Sequence, residues 1–179
     1  PTPTATAVVT PSPSPVPTPS SSPSPTPEPT PAFSCPLAKT TLRVPTNEVV
    51  RLRVTRYDGY DQVSFEFGPM GEGSGASATV ELAPDTPPFR LSPSDLPVTV
   101  AGDRFLRVIF RETIVYDESG SVFIGSTDLK PDGGIVREVV QVEAFEGVVQ
   151  WLIGAAGEGC ARVATDAAGS RLLIDFRAP

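Results

Sequence analysis

The feature that most constrains the fold is an alternation of apolar and polar residues, with a period of two, along several short segments. In Asp61–Phe67, the apolar residues Val63, Phe65 and Phe67 alternate with polar residues. A period of two places alternate side chains on opposite faces of a β-strand, so that one face is buried and the other meets water. No segment shows a long helical period. The chain is therefore predicted to fold from β-strands.

Similar patterns recur along the chain and are separated by turns rich in Gly, Pro, Asp and Ser, the residues that favour tight turns. A single helical turn is expected at 92–96. Short strands joined by turns predict an all-β fold, an antiparallel β-sandwich of two small sheets or a barrel. The predicted strands are Val49–Val54, Asp61–Phe67, Ala78–Leu82, Phe105–Arg111, Val122–Ile124, Val136–Val142, Val148–Ile153, Ala161–Ala164 and Arg171–Arg177.

The first 32 residues have a different composition, with 12 Pro, 7 Thr and 6 Ser. Such a tract has too little apolar surface to offset the entropy of ordering it, and its proline pairs favour an extended polyproline II spacer. We predict a disordered Pro/Thr/Ser-rich linker at 1–32 and one folded domain at 33–179. Stalks of this composition are typical of extracellular tethers. An interdomain linker or a proline-rich ligand for a partner domain is the alternative.

The charge of the chain argues against some partners. Its formal net charge is −7, and Lys39 and Lys130 are its only lysines. Without a basic stripe, binding to nucleic acid or to anionic lipid is not expected. No apolar run is long enough to predict a transmembrane segment. We expect an exported protein at the cell surface or envelope, and a lipid anchor or export signal upstream of Pro1 is left open.

Cys35 and Cys160 are the two cysteines. An even number of cysteines in an exported chain favours one disulfide, and two unpaired thiols are the alternative. Histidine is absent, which removes Ser-His-Asp catalysis and the usual zinc hydrolase sites. We therefore predict no metal and no cofactor.

Glu146 lies between Phe145 and Gly147, just before the apolar run Val148–Ile153. We expect Phe145 to fold into the core and Gly147 to permit a bend. Glu146 would then accept backbone N–H bonds or pair with an arginine. Contact with a ligand and catalysis are the alternatives for Glu146. Trp151, the only tryptophan, is expected in the core rather than as a platform for stacking sugars.

Asp175 shares one face of its predicted strand with Arg171 and Arg177, so a surface ladder of charges is expected there. Glu146 and Asp175 are also formal candidates for a carboxylate-pair hydrolase. In a chain with 21 acidic residues, such a pair is weak evidence, and we do not predict an enzyme.

Several segments, taken together and in order, resemble the AMIN-like domain. This family occurs in exported bacterial proteins and lipoproteins, often behind a proline- and threonine-rich stalk, and the resemblance covers about residues 39–177. The segments that carry it are "YDQVSFEFGP" (60–69), "PFRLSPSDLPVTVAGDRFLRVIF" (88–110), "DLKPDGGIVREVVQVEAFEGVVQWLIG" (128–154), "CARVATD" (160–166) and "SRLLIDF" (170–176).

The resemblance implies a sandwich of two small β-sheets and a non-catalytic role in envelope targeting, by binding peptidoglycan or an envelope protein. A protein-interaction module that uses a sheet edge and a carboxylate-pair hydrolase are the rival interpretations. A domain that only supports something at its stalk is a third. The residues that match the motifs of the family are Phe145, Glu146, Gly147, Gly154, Arg171 and Asp175.

Four arginines on outward strand faces are candidates for contact with such a ligand. They would meet the carboxylates of peptidoglycan stem peptides through bidentate hydrogen bonds. Ordinary solvated strand faces are the alternative. These arginines are Arg51, Arg53, Arg107 and Arg111.

Overall fold

The computed structural model describes residues 31–68, 77–114, 116–117 and 120–178, so most of the predicted linker lies outside the described residues. Within these ranges the chain is built from β-strands and contains no helix, which confirms the all-β prediction. The strands are β1 Thr40–Val44, β2 Val49–Tyr57, β3 Tyr60–Phe67, β4 Ala78–Asp85, β5 Phe89–Arg90, β6 Pro97–Val98, β7 Arg104–Arg111, β8 Tyr116–Asp117, β9 Gly120–Ser121, β10 Asp128–Leu129, β11 Val136–Phe145, β12 Val148–Ala155, β13 Cys160–Thr165 and β14 Arg171–Arg177.

Two antiparallel sheets form the sandwich. The larger has six strands in the order β1-β4-β7-β12-β11-β10, and the smaller has four in the order β13-β14-β3-β2. Two short ribbons, β5-β6 and β8-β9, lie outside these sheets. The arrangement confirms the predicted sandwich of two sheets.

The main core lies between the two sheets. Phe65 of the four-stranded sheet contacts Phe110 and Trp151 of the six-stranded sheet, with ring centroids 5.1 and 5.9 Å apart in edge-on geometry. All three side chains are fully buried. Edge-to-face aromatic pairs add about 0.5–1.5 kcal/mol to the gain from burying their surface. Trp151 is therefore a core residue, as expected.

A second apolar cluster covers part of the outer face of the six-stranded sheet. Phe89 and Val100, from the segment between β4 and β7, pack there with Val140, Val142 and Leu152. The middle of this sheet is therefore buried on both sides. The apolar run of β12 serves both clusters, because its alternate residues face opposite sides of the sheet.

Cys35 and Cys160 form the predicted disulfide, which joins residues 125 positions apart in the chain. Beside it, Ser34 and Ala161 exchange two backbone hydrogen bonds of 2.9 Å. The first described residues are thereby fixed to β13, the edge strand of the four-stranded sheet.

Three local predictions differ from the structure. Val122–Ile124 is not a strand. The Ile124 N–H donates to the Val50 carbonyl at 2.7 Å, and Phe123 packs on Trp151 at the edge of the core, whereas the Ile124 side chain is exposed. β1 was not predicted. The segment 92–96 is a turn rather than a helix, in which the Asp95 N–H donates to the Leu91 carbonyl at 2.8 Å.

Candidate functional site

The outer face of the four-stranded sheet collects arginines from three of its four strands. The cross-strand register places Glu66 between Arg51 and Arg171, and Ser64 between Arg53 and Leu173. We call this surface the arginine face. Its arginines are Arg51, Arg53, Arg162, Arg171 and Arg177.

Glu66 is shared by two of these arginines. Its carboxylate lies 2.7 Å from the Arg53 Nε and 3.7 Å from an Arg51 amino group. The Glu66 side chain is 25% exposed, whereas the side chains of Arg51 and Arg53 are 42% and 55% exposed. One carboxylate therefore sits below two guanidinium groups that reach further into solvent.

Asp175 is buried rather than part of a surface ladder with Arg171 and Arg177. The Arg162 Nε donates to one of its oxygens at 2.7 Å, and the Gln62 amide donates to the other at 2.8 Å. β14 is a central strand, so its flanking strands bring cross-strand neighbours closer than residues two apart on the same strand. The expected ladder was wrong for this reason.

Arg171 pairs with Asp166 in the turn between β13 and β14, at 3.0 Å. Burial disfavours ionisation of Asp166, but hydrogen bonds from Ser170 and Arg171 outweigh it, and the pKa of the Asp166 carboxyl is lowered. Asp166 therefore fixes the turn and holds Arg171 at the end of the arginine face.

An aromatic group covers the opposite end of the face. The guanidinium groups of Arg162 and Arg177 lie 4.5 and 4.6 Å from the centre of the Phe33 ring. Tyr57 and Tyr60 stack with ring centroids 4.9 Å apart, and Arg162 also approaches Tyr60. Planar guanidinium groups stack well on aromatic rings. Phe33 therefore brings the start of the predicted domain onto this face.

The arginine face is positive within an acidic chain. Its five arginines are accompanied by the carboxylates of Glu66 and Asp175 on the same face and of Asp166 in the adjoining turn, whereas the chain as a whole carries a net charge of −7. A local excess of positive charge on a sheet face attracts anionic groups at short range.

The four arginines predicted as ligand contacts do not lie on one surface. Arg107 and Arg111 lie on the outer face of the six-stranded sheet, on the opposite side of the sandwich. The Arg107 Nε is 2.5 Å from Asp85, and the Arg111 Nε is 2.5 Å from Glu81. The hydrogen bond from Arg111 lowers the pKa of the Glu81 carboxyl. Arg51 and Arg53 therefore share a surface with each other but not with the second pair.

Glu146 and Gly147 form the two-residue turn that joins β11 to β12, where Phe145 pairs with Val148. Their φ angles are 47° and 77°, the signature of a type I′ hairpin. Glu146 is exposed, and among the described residues its carboxylate makes no hydrogen bond or ion pair. The bend at Gly147 is confirmed, whereas the expected contacts of the Glu146 carboxylate are not found in the described part of the chain.

Phe145 does not enter the core, and 47% of its surface is exposed. A β-bulge between Gln141 and Glu143 inserts an extra residue into β11. A bulge shifts the alternation by one position, and this one turns Phe145 to the outer face. The prediction that Phe145 folds into the core was wrong because the bulge is not visible in the sequence.

Gly154 has a structural reason to be glycine. A Cβ atom at this position would lie 1.9 Å from the Ala101 carbonyl oxygen. Only hydrogen leaves room for the segment that carries the second apolar cluster across the six-stranded sheet.

Sequence reasoning missed two buried carboxylates that join parts of the fold. Asp61 accepts the N–H groups of Ile135 and Val136 at 2.6 and 2.9 Å. Glu138 accepts the Ala101 N–H at 2.6 Å. The burial of Asp61 could have been predicted from the sequence. Alternation along the strand places Asp61 on the same inward face as Val63, Phe65 and Phe67.

Within the described ranges, no group of three or more side chains is arranged to hold a metal ion. The same residues include no helix long and apolar enough to span a bilayer.

A comparison with protein families matches residues 47–178 to the AMIN-like domain. The match includes every strand that forms the arginine face, and it confirms the resemblance noted in the sequence. No curated protein and no solved structure matches the chain.

Proposed function

Because the chain belongs to the AMIN-like domain family, we propose that it is a non-catalytic module of the cell envelope that binds peptidoglycan through its arginine face. The family suggests association with peptidoglycan without catalysis. We choose the arginine face as the binding surface because arginines cluster on this one sheet face of an acidic chain.

The chemistry of the face suits a polymer that bears carboxylates. Guanidinium groups bind carboxylates through two parallel hydrogen bonds, which gives both geometry and charge. Arg51 and Arg53 are the first candidates, since these two cations share the single carboxylate of Glu66 and both side chains are more exposed than Glu66. Stem-peptide carboxylates of peptidoglycan would meet these two groups first.

Two rival functions have less support. Strand addition at β1, one edge of the six-stranded sheet, is opposed by charge. Lys39, just before β1, and Arg43, on β1, pair with acidic neighbours, and charged side chains protect an edge against pairing. A carboxylate-pair hydrolase would use Glu146 and Asp175. These residues belong to different sheets, and both oxygens of Asp175 already accept hydrogen bonds from the protein.

We further propose that residues 1–32 form a spacer and that residues 33–179 form the binding domain, exported and held at the cell surface. The disulfide fits an oxidising compartment outside the cytoplasm. Phe33 and Ser34 join the domain at β13, so the spacer would enter beside the arginine face.

The experiment is co-sedimentation of the full chain with isolated peptidoglycan sacculi across a salt series. We expect the chain to pellet at low salt and to be released as salt rises, because salt screens contacts between exposed charges. The double variant Arg51→Gln/Arg53→Gln should remain largely in the supernatant.

The matched control is Arg43→Gln/Arg111→Gln, which removes two exposed arginines from the outer face of the six-stranded sheet. This control should pellet like the unchanged chain. If the unchanged chain stays in the supernatant even at low salt, the proposal of wall binding is wrong. Equal loss in both double variants would show that net charge, rather than the arginine face, governs binding.

A further inference from the structure

A pocket opens between the two sheets at the end of the sandwich that carries the disulfide. Its volume is about 200 Å³. Its floor is apolar and buried, and it is contributed by both sheets and by the segment that follows Cys35. We call it the end pocket. The floor residues are Leu37, Leu106, Ala155, Ala161 and Phe176.

The rim of the end pocket is exposed and partly polar, with Pro36, Pro84, Thr86 and Arg104. Asp85 also lines the pocket, but its carboxylate accepts Arg107 Nε at 2.5 Å and the Thr86 N–H at 2.8 Å. The negative charge of Asp85 is therefore already compensated.

Arg104 carries the uncompensated charge of the rim. One of its amino groups donates to the Asp103 backbone carbonyl at 3.2 Å. In the described part of the chain, no carboxylate lies within ion-pair distance of its guanidinium group. A cation at the mouth of an apolar pocket favours a ligand with an anionic head and an apolar body.

We propose that the end pocket binds a small monocarboxylate with an apolar tail. The carboxylate pairs with Arg104, and the tail enters between the sheets to contact Leu106 and Phe176. The volume suits such a tail, since an apolar cavity of about 150 Å³ in another protein holds benzene. This inference does not depend on the arginine face, which lies on the outer side of the four-stranded sheet.

The disulfide keeps this pocket formed without a ligand. Cys35 precedes the rim residue Pro36, and Cys160 precedes the floor residue Ala161, so the bridge fixes one wall against β13. A preformed pocket binds without a large cost for ordering its walls.

The test is isothermal titration calorimetry of the full, oxidised chain with three probes. Octanoate carries both head and tail, octan-1-ol lacks the charge, and acetate lacks the tail. We expect octanoate to bind at one site and acetate to give no saturable heat. Octan-1-ol should bind about tenfold more weakly than octanoate, a difference of about 1.4 kcal/mol in binding free energy.

Arg104→Gln should lower octanoate affinity to that of octan-1-ol and leave octan-1-ol unchanged, whereas Arg137→Gln, an exposed arginine outside the pocket, should alter neither. Ala161→Val, which narrows the floor, should weaken both ligands, with thermal melting used to confirm folding. The proposal is overturned if octanoate does not bind, if octan-1-ol binds equally well, or if Arg104→Gln has no effect.

Discussion

At the scale of single residues, the burial of each carboxylate decides which arginines can meet a ligand. Asp175 is enclosed by Arg162 and Gln62, so Arg162 is committed to the fold. Glu66 remains partly open and faces two arginines. The exposed side chains of Arg51 and Arg53 therefore provide the positive charge that a carboxylate-bearing polymer would meet.

Gly154 offers a test at the same scale. Gly154→Ala would place a methyl group 1.9 Å from the Ala101 carbonyl oxygen, so the crossing segment must move. Overpacking of this kind costs about 1–3 kcal/mol and sometimes more, and we expect the upper end because the contact is with backbone. Denaturant unfolding measures the loss.

Gly59→Ala is the control for Gly154→Ala. Gly59 has a φ of 81° and nothing within 4 Å of the added methyl, so its substitution costs only the strain of a left-handed conformation, about 1–2 kcal/mol. A Gly154→Ala protein that is as stable as the unchanged chain would refute the packing role.

At the scale of elements, alternation predicted most strands, but it could not predict interruptions or edges. The strand predicted at 171–177 matches β14 residue for residue. The bulge in β11 reversed the expected side of Phe145, because a bulge depends on pairing with β12 rather than on local pattern. At 122–124, an apolar triplet looked like a strand, although its aromatic residue instead packs at the edge of the core.

The β11–β12 hairpin gives a prediction about its turn. A type I′ turn favours Asn or Gly at its first central position, and Glu146 occupies that position with a φ of 47°. Asn adopts the left-handed conformation at less cost than Glu, so Glu146→Asn should raise the free energy of unfolding by a part of the roughly 1–2 kcal/mol that this conformation costs an ordinary residue. Urea denaturation is the measurement, and Glu158→Asn, an exposed glutamate without a positive φ, is the control.

Sacculus binding by the Glu146→Asn protein separates the two interpretations of this residue. A purely structural turn residue leaves binding unchanged while stability rises. Loss of binding in a more stable protein would instead identify Glu146 as a ligand contact. If Glu146→Asn lowers stability, the strain assigned to the turn is wrong.

At the scale of the whole molecule, the candidate site depends on which strands become neighbours, and local sequence does not contain that information. β3 pairs with β14, although more than 100 residues separate them along the chain. That pairing brings Arg51 and Arg171 to either side of Glu66. Four outward arginines could be identified from alternation, but their division between two opposite faces follows from the sheet order alone.

The disulfide constrains the molecule as a whole, and we expect its removal to lower the unfolding temperature. The bridge joins residues 125 positions apart, and a loop of this length constrains the unfolded chain strongly; removing a native disulfide typically costs about 2–5 kcal/mol. Cys35→Ser/Cys160→Ser should therefore unfold at lower temperature than the oxidised chain. Calorimetry measures the change, and the unchanged chain treated with reductant should match the double variant.

The variant should also lose octanoate affinity, since Pro36 and Leu37 are no longer fixed against β13. A double variant as stable as the oxidised chain would show that the hydrogen bonds between Ser34 and Ala161 suffice to hold this end of the sandwich closed.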